Sequence, residues 1–347
     1  MARTWGRRLA RIGGYGFLVL LLLAALALTF TFGWRPVIGA QMRPLTARKF
    51  QPTPERMRRG EYLVHAVARC MECHSKYEMK AEHKKGEPPV LLSKEGAGAV
   101  LLEQGDLRIV APNITSDPET GLGKWSDDAI ARAIREGIAD DGLALFPVMP
   151  YEHFRYLSEE DLASVVVFIR SLPAVRNQLP PSKIPFVFAR LIQAVPQPVT
   201  EPMPEPDTST PAKRGAYLAK MGTCSDCHTP RDTKFQPIPG MEMAGGTPME
   251  LDKKVAAANL TPDASGIVYY DEARFIETIH TGYVGARMLN SIMPWWGIRN
   301  MTDDDLKAVF AYLRTLKPVH HDVDNTEPPK QCKLCGQKHG LGDHNRH

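Results

Sequence analysis

The sequence predicts an all-α chain, with one N-terminal membrane-spanning helix followed by two tandem and mutually similar helical domains. Three observations carry that expectation. Residues 12–34 contain no charged side chain. The pattern C-x-x-C-H occurs twice, at Cys70–His74 and at Cys224–His228. The stretches that follow its two copies repeat each other at a nearly fixed offset. At 347 residues, two domains of ordinary size are expected rather than one.

The apolar run from Ile12 to Trp34 includes Phe17-Leu18-Val19-Leu20-Leu21-Leu22-Leu23 and is long enough to cross a bilayer as a helix, which takes about 20 residues. Arg3, Arg7, Arg8 and Arg11 precede it, so residues 1–11 read as a basic cytoplasmic N-terminus. The remainder is then sent to the periplasmic side of a bacterial inner membrane. A cleaved signal peptide is the competing reading. Its apolar region would span about 7–15 residues before a small-residue cleavage site. Val37-Ile38-Gly39-Ala40 makes a poor site of that kind, which favours an uncleaved anchor over 12–34. Those four arginines also supply the whole formal net charge of +4, leaving 39 basic against 39 acidic residues. Charge therefore gives no case for nucleic acid as a partner.

Residues 35–57, with Pro36, Pro44, Pro52 and Pro54, read as a tether without regular structure. A first domain over 58–175 opens with Arg59-Gly60-Glu61-Tyr62-Leu63, and a second over 212–320 opens with Arg214-Gly215-Ala216-Tyr217-Leu218. Pro112-Asn113-Ile114-Thr115 answers Ala258-Asn259-Leu260-Thr261, and Trp125 answers Tyr270. Met149-Pro150 answers Met293-Pro294 at an offset of 144 residues, as does Ser158–Leu162 with Thr302–Leu306. This is duplication of a whole domain rather than a solenoid repeat, whose period is far shorter.

Ser158 and Thr302 are suited to cap the closing helices, and the acidic residues after them suit the positive end of the helix dipole. Leu162, Val165, Val166, Ile169 and Leu172 form one apolar stripe at helical spacing, and Leu306, Val309, Phe310, Leu313 and Leu316 form its twin. Both stripes read as core packing. Between the domains, 176–211 is a Pro-rich linker. Its apolar middle, Ile184–Val195, is expected to pack between the domains, with contact to a membrane surface as the weaker alternative.

The repeated pentapeptide sets the chemistry. Two thiols three residues apart can form thioethers to the two vinyl groups of one porphyrin, and the adjacent histidine then meets the iron. Cys70 and Cys73 with His74, and Cys224 and Cys227 with His228, therefore imply two covalently attached haem c groups. The sixth iron position decides the function, because a methionine thioether closes it, raises the potential and leaves electron transfer. In the first domain Met71 and Met79 lie too near the attachment site, which leaves Met149, 75 residues beyond His74. In the second, Met293 stands out among Met241, Met243, Met249, Met288 and Met301. It precedes a proline, matches Met149 in the duplication, and lies 65 residues beyond His228. A proline after each methionine disfavours helix and holds the loop extended. His65, His153 and His280 are the rival ligands, but none has a counterpart in the other copy.

The polar tail over 321–347 carries Cys332-Lys333-Leu334-Cys335 together with His339, His344 and His347. No histidine follows Cys335 directly, so this is not a third attachment site. A disulfide or an unused pair is the plain reading, and zinc would need four ligands brought together.

These residues resemble class I cytochromes c. The segment from Asn113-Ile114-Thr115 through Gly121-Leu122-Gly123-Lys124-Trp125-Ser126 to Phe146-Pro147-Val148-Met149-Pro150-Tyr151 is similar to the cytochrome c subunit of bacterial alcohol and aldehyde dehydrogenases. The resemblance covers about residues 58–320 and implies a helical fold around each haem, with the first and last helices of each domain crossing. Family members carry electrons from a periplasmic dehydrogenase to quinone or a terminal oxidase. Those subunits usually carry three attachment sites where this chain has two.

The resulting expectation is a periplasm-facing dihaem cytochrome with axial pairs His74/Met149 and His228/Met293, an electron carrier rather than an enzyme. It would exchange electrons with a redox donor and acceptor, for instance a dehydrogenase or a respiratory complex. The alternative is a dihaem enzyme such as a peroxidase or a thiosulfate dehydrogenase.

Overall fold

The computed structural model describes residues 2–31, 33–78, 90–233, 235–249, 252–290 and 292–345. Met79 and His347 lie outside these residues, as do the side chains of Arg3, Arg7, Arg8 and Arg11.

The chain starts with a helix over Ala2–Thr31, of which the 20 residues Ile12–Thr31 are long and apolar enough to span a membrane. Phe17, Leu20 and Phe30 are among its exposed apolar side chains. The hydroxyls of Thr29 and Thr31 donate to the carbonyls of Ala25 and Ala27, at 2.7 and 2.6 Å, so each polar atom is satisfied within its own helix.

The expected tether over 35–57 is only partly irregular: it has one turn of helix at Arg35–Ile38 and, because proline is tolerated in the first turn of a helix, becomes helical from Pro54, which leaves 39–53 without regular structure. The segment is nevertheless pinned. The Arg43 guanidinium donates to both carboxylate oxygens of Asp128 at 2.8 Å and to Glu136 at 2.7 Å. Both acids are almost fully buried, and the Thr46 and Phe50 amides add bonds to Asp128 and Asp127.

Beyond it, one order of elements occurs twice. Thr53 caps helix Pro54–Tyr62, which continues as a π turn over Leu63–Val67. Thr210 caps helix Pro211–Met221 in the same way, with proline in its first turn. Each leads to a one-turn helix, Cys70–His74 or Cys224–His228. Ten-residue helices Asp127–Glu136 and Glu272–Thr281 follow, capped by Ser126 and Asp271. The short helices Tyr151–Phe154 and Trp295–Ile298 come next. The closing helices are Glu159–Ser171 and Asp303–Leu313, where the Ser158 and Thr302 hydroxyls accept from the amides of Asp161 and Asp305 as the sequence indicates.

Each opening helix crosses its closing helix at a glycine. A Cβ at Gly60 would overlap the Ser164 carbonyl, and one at Gly215 would overlap that of Ala308. Only a residue without a side chain lets the backbones approach so closely. The apolar stripes around the crossings merge into one cluster that runs from Leu63, Val166 and Ile169 to Leu218, Leu306 and Phe310.

The expectation of purely helical domains needs an addition. Five two-stranded antiparallel pairs occur among the described residues, the longest joining Ala99–Gln104 to Leu107–Ala111. Four lie in the loops between helices and the fifth, Pro329–Gln331 with Lys338–Gly340, in the tail after the closing helix, and all leave the helical core intact. The linker differs more. Helix Phe186–Ile192 does not pack between the two halves; its Arg190 donates to the carbonyls of Pro36 and Val37, next to the N-terminal helix. Phe186, Val187 and Phe188 are exposed there. The apolar composition of this stretch signals burial, but composition does not say which surface covers it, and no element among the described residues covers Phe186, Val187 and Phe188.

Replacing Gly60 by alanine is expected to destabilise the chain by about 1–3 kcal/mol, because the added methyl must push two packed backbones apart. A lower thermal midpoint by circular dichroism checks this.

Candidate haem sites

The two attachment motifs are built alike down to single hydrogen bonds. Each is entered by a residue in the left-handed region, Arg69 at φ 49° and Thr223 at φ 56°. These are positions where a side-chain-bearing residue holds strain, as functional sites often do. The His74 and His228 rings are buried, each 8% exposed. Their Nδ1 atoms lie 2.8 Å from the carbonyl oxygens of Pro112 and Ala258. A proton on Nδ1 makes that bond and leaves the Nε2 lone pair available to a metal. Burial pushes both imidazoles below their usual pKa, so both are neutral at pH 7. That is the protonation state an iron ligand requires.

The carbonyls are themselves held. Asn113 accepts from the Thr115 amide and hydroxyl at 2.9 and 2.7 Å, and its own amide donates to the Val175 carbonyl at 2.7 Å. Asn259 repeats this with Thr261, at 2.9 and 2.8 Å, and with Val319 at 2.8 Å. The motif Asn-x-Thr thus ties the histidine's acceptor loop to the chain leaving the closing helix. On the other side, the His74 and His228 carbonyls accept from Gly98 and Gly245, both at 2.7 Å.

Met149 and Met293 are half-buried against the shared apolar cluster, as are Cys70 and Cys224. Cys73 and Cys227 are exposed. The methionine loops are hydrogen-bonded turns rather than extended chain. The Met149 amide donates to Phe146 O at 3.1 Å, and that of Met293 to Asn290 O at 3.0 Å. Pro150 and Pro294 share one backbone conformation, φ −83°, ψ 51° and φ −79°, ψ 48°. The rival histidines are engaged elsewhere. His65 bonds Glu61 and Glu95, His280 bonds Arg299 and Asp303, and His153 bonds Asp226.

The donors present fit a haem. Two thiols about one helical turn apart and a neutral buried imidazole whose Nε2 is left for a metal suit a covalently attached haem c.

The two motifs also meet. Arg69, just before Cys70, donates to the Gly222 carbonyl at 3.1 Å, two residues before Cys224. His153 Nε2 lies 2.7 Å from Asp226 within the second motif. In the reciprocal place, 144 residues on, Gly297 faces the carboxylate of Glu72 in the first motif, and a Cβ there would overlap it. The opening helices complete the exchange. The Tyr62 hydroxyl donates to Asp305 at 2.6 Å and Tyr217 donates to Asp161 at 2.7 Å, each reaching the other half's closing helix. The same two acids take Arg214 and Arg59 from their own halves, at 2.7 Å in each case.

Sequence reasoning found the tyrosines as part of the repeat but not their partners. Spacing within each half carries no signal for a contact between halves.

Residues 212–317 match the family model for cytochrome c. A nicotinate dehydrogenase subunit from Pseudomonas putida is 31% identical over 73% of this chain and 21% of that protein. The cytochrome c subunit of the quinone-type alcohol dehydrogenase of Gluconobacter oxydans is 26% identical over 90% of this chain and 66% of that protein. A dihaem c-type cytochrome of Cereibacter sphaeroides is 26% identical over 75% and 86%. The chain thus spans only part, from about a fifth to about two thirds, of the first two relatives. It carries a cytochrome c domain and resembles the cytochrome c subunits of dehydrogenases.

Burial and the bond to Asp305 push the Tyr62 hydroxyl up to about 12. Unfolded, the phenol releases its proton near pH 10. The folded state therefore keeps a proton that the unfolded state loses, and this stabilising contribution falls as pH rises from about 10 to about 12. Thermal midpoints across that range are expected to fall less steeply in Tyr62→Phe than in the wild type.

Proposed function

We propose that this chain, with a cytochrome c domain at 212–317, is a membrane-anchored dihaem cytochrome that passes electrons between a dehydrogenase and a further acceptor. Its soluble part consists of two tandem class I cytochrome c domains, 58–175 and 212–320. Haem c held through thioethers to Cys70/Cys73 and to Cys224/Cys227 supplies a one-electron iron couple at each site. The observation that carries the reading is the repeated donor geometry, an imidazole oriented by a 2.8 Å bond to a loop carbonyl in both halves.

In this reading His74 and His228 through Nε2, and Met149 and Met293 through Sδ, would be the residues that hold the iron of the two haems. A thioether there excludes small molecules, which favours electron transfer over peroxidase or thiosulfate dehydrogenase chemistry. The bond from Arg69 to Gly222 joins the two attachment motifs, and His153 on Asp226 joins the short helix after Met149 to the second, which suits transfer within one chain. The first relatives are named as dehydrogenase subunits, so a dehydrogenase is the partner proposed.

Helix Ile12–Thr31 is the proposed anchor, with residues 1–11 in the cytoplasm and both domains in the periplasm. The exposed apolar side chains of Trp34, Val37, Ile38, Phe186, Val187 and Phe188 lie on the elements beside it, and a bilayer surface would cover them.

Two haems per chain are expected from a pyridine haemochrome assay, and one in Cys70→Ala/Cys73→Ala. Met149→Ala should remove about half of the weak near-infrared sulfur-to-iron band and lower the potential of one haem only. An unchanged band would exclude Met149 as a ligand.

A further inference from the structure

The C-terminal tail turns back on the second half and brings together four residues that the electron-transfer reading does not use. His321, Cys332, Cys335 and His339 are all buried, and their ligand atoms lie within 4.8 Å of one another. Cys332 Sγ is 3.4 Å from His321 Nε2, and Cys335 Sγ is 3.4 Å from His339 Nε2. Zinc in a tetrahedron of sulfur at about 2.3 Å and nitrogen at about 2.0 Å sets a sulfur-to-nitrogen edge of about 3.5 Å. The observed separations are those of such an edge.

We infer that these residues form a structural zinc site of the Cys2His2 type, separate from both haem sites. The surroundings are those of a metal centre. His321 Nδ1 bonds the Ala244 carbonyl at 2.8 Å and His339 Nδ1 bonds the Gly340 carbonyl at 3.0 Å, so both Nε2 atoms face the thiols with lone pairs free. The Cys335 amide points at Cys332 Sγ, 3.4 Å away, a donor suited to a thiolate. Strands Pro329–Gln331 and Lys338–Gly340 form a hairpin whose tip holds both cysteines, and Gly336 at φ 69° lets the chain turn after the second. His321 comes from the other side, just after the closing helix. Its ring lies on Gly246, where a Cβ would overlap it.

Zinc binding displaces the two thiol protons to solvent. The dication with two thiolates and two neutral imidazoles is then uncharged, which permits burial with no counter-ion. Oxidation state does not change. With all four protein ligands present the coordination is closed, so the site is structural rather than catalytic. Its place gives the consequence. Ala244 precedes Gly245, whose amide donates to the His228 carbonyl at 2.7 Å. The zinc therefore staples the tail onto the loop that supports the second haem's histidine.

The test uses the full-length chain with its covalent haems, purified in detergent without chelator. Elemental analysis is expected to give about one zinc per chain, and X-ray absorption at the zinc edge two sulfur and two nitrogen ligands. Cys332→Ser/Cys335→Ser should lose at least nine tenths of the zinc and keep the wild-type haem-to-chain ratio. His321→Ala should lose one nitrogen ligand or the metal. In the wild type, denaturation with a chelator should release two reactive thiols per chain. No zinc, another metal at one equivalent, a mass two units low from a Cys332–Cys335 disulfide, or zinc retained in the double serine variant would each overturn the assignment. Should haem content fall short of two while zinc remains, the dihaem reading fails and the zinc site stands.

Discussion

The arrangement around each attachment motif depends on one hydrogen bond, from a buried imidazole to a backbone carbonyl. It fixes the tautomer, turns the ring and leaves one nitrogen for a metal. Much of the local sequence serves it. Asn113 and Asn259 hold the carbonyl in place by satisfying their own polar atoms on the neighbouring threonine and on the chain past the closing helix. Were either asparagine's amide left buried and unpaired, the loop would cost free energy instead of supporting the ring.

The second constraint lies between the halves. Asp161 and Asp305 each serve two masters, an arginine from their own opening helix and a tyrosine from the other. A carboxylate so shared cannot relax toward one partner without weakening the other. The contact is close to symmetric, but not fully: His153 and Gly297 occupy equivalent places and meet Asp226 and Glu72 differently. The two halves thus differ at the place where they touch.

Much of this was legible from residue types alone. The caps at Ser158 and Thr302, the apolar stripes and the repeat itself follow from short-range chemistry, where sequence spacing determines spatial neighbours. The strands were not legible, because most are runs of two or three residues without periodicity, and the longer pair Ala99–Gln104 and Leu107–Ala111 carries a bulge that breaks the alternation. The fate of Phe186–Phe188 was misjudged, since composition reports apolarity but not which surface covers it. The fourth member of the Cys332 cluster was missed for another reason. His321 lies eleven residues upstream, beyond the reach of any C-x-x-C spacing rule, and only the fold brings it in.

The strap formed by Arg43 on Asp128 and Glu136 has a further consequence. From Thr31 to Arg43 the chain can extend at most about 40 Å even if fully stretched. The guanidinium clamp ends that slack before the first attachment motif begins. In the anchored reading proposed above, the first half would be kept in a thin layer above the membrane surface, and its encounter with a redox partner would be a search in two dimensions.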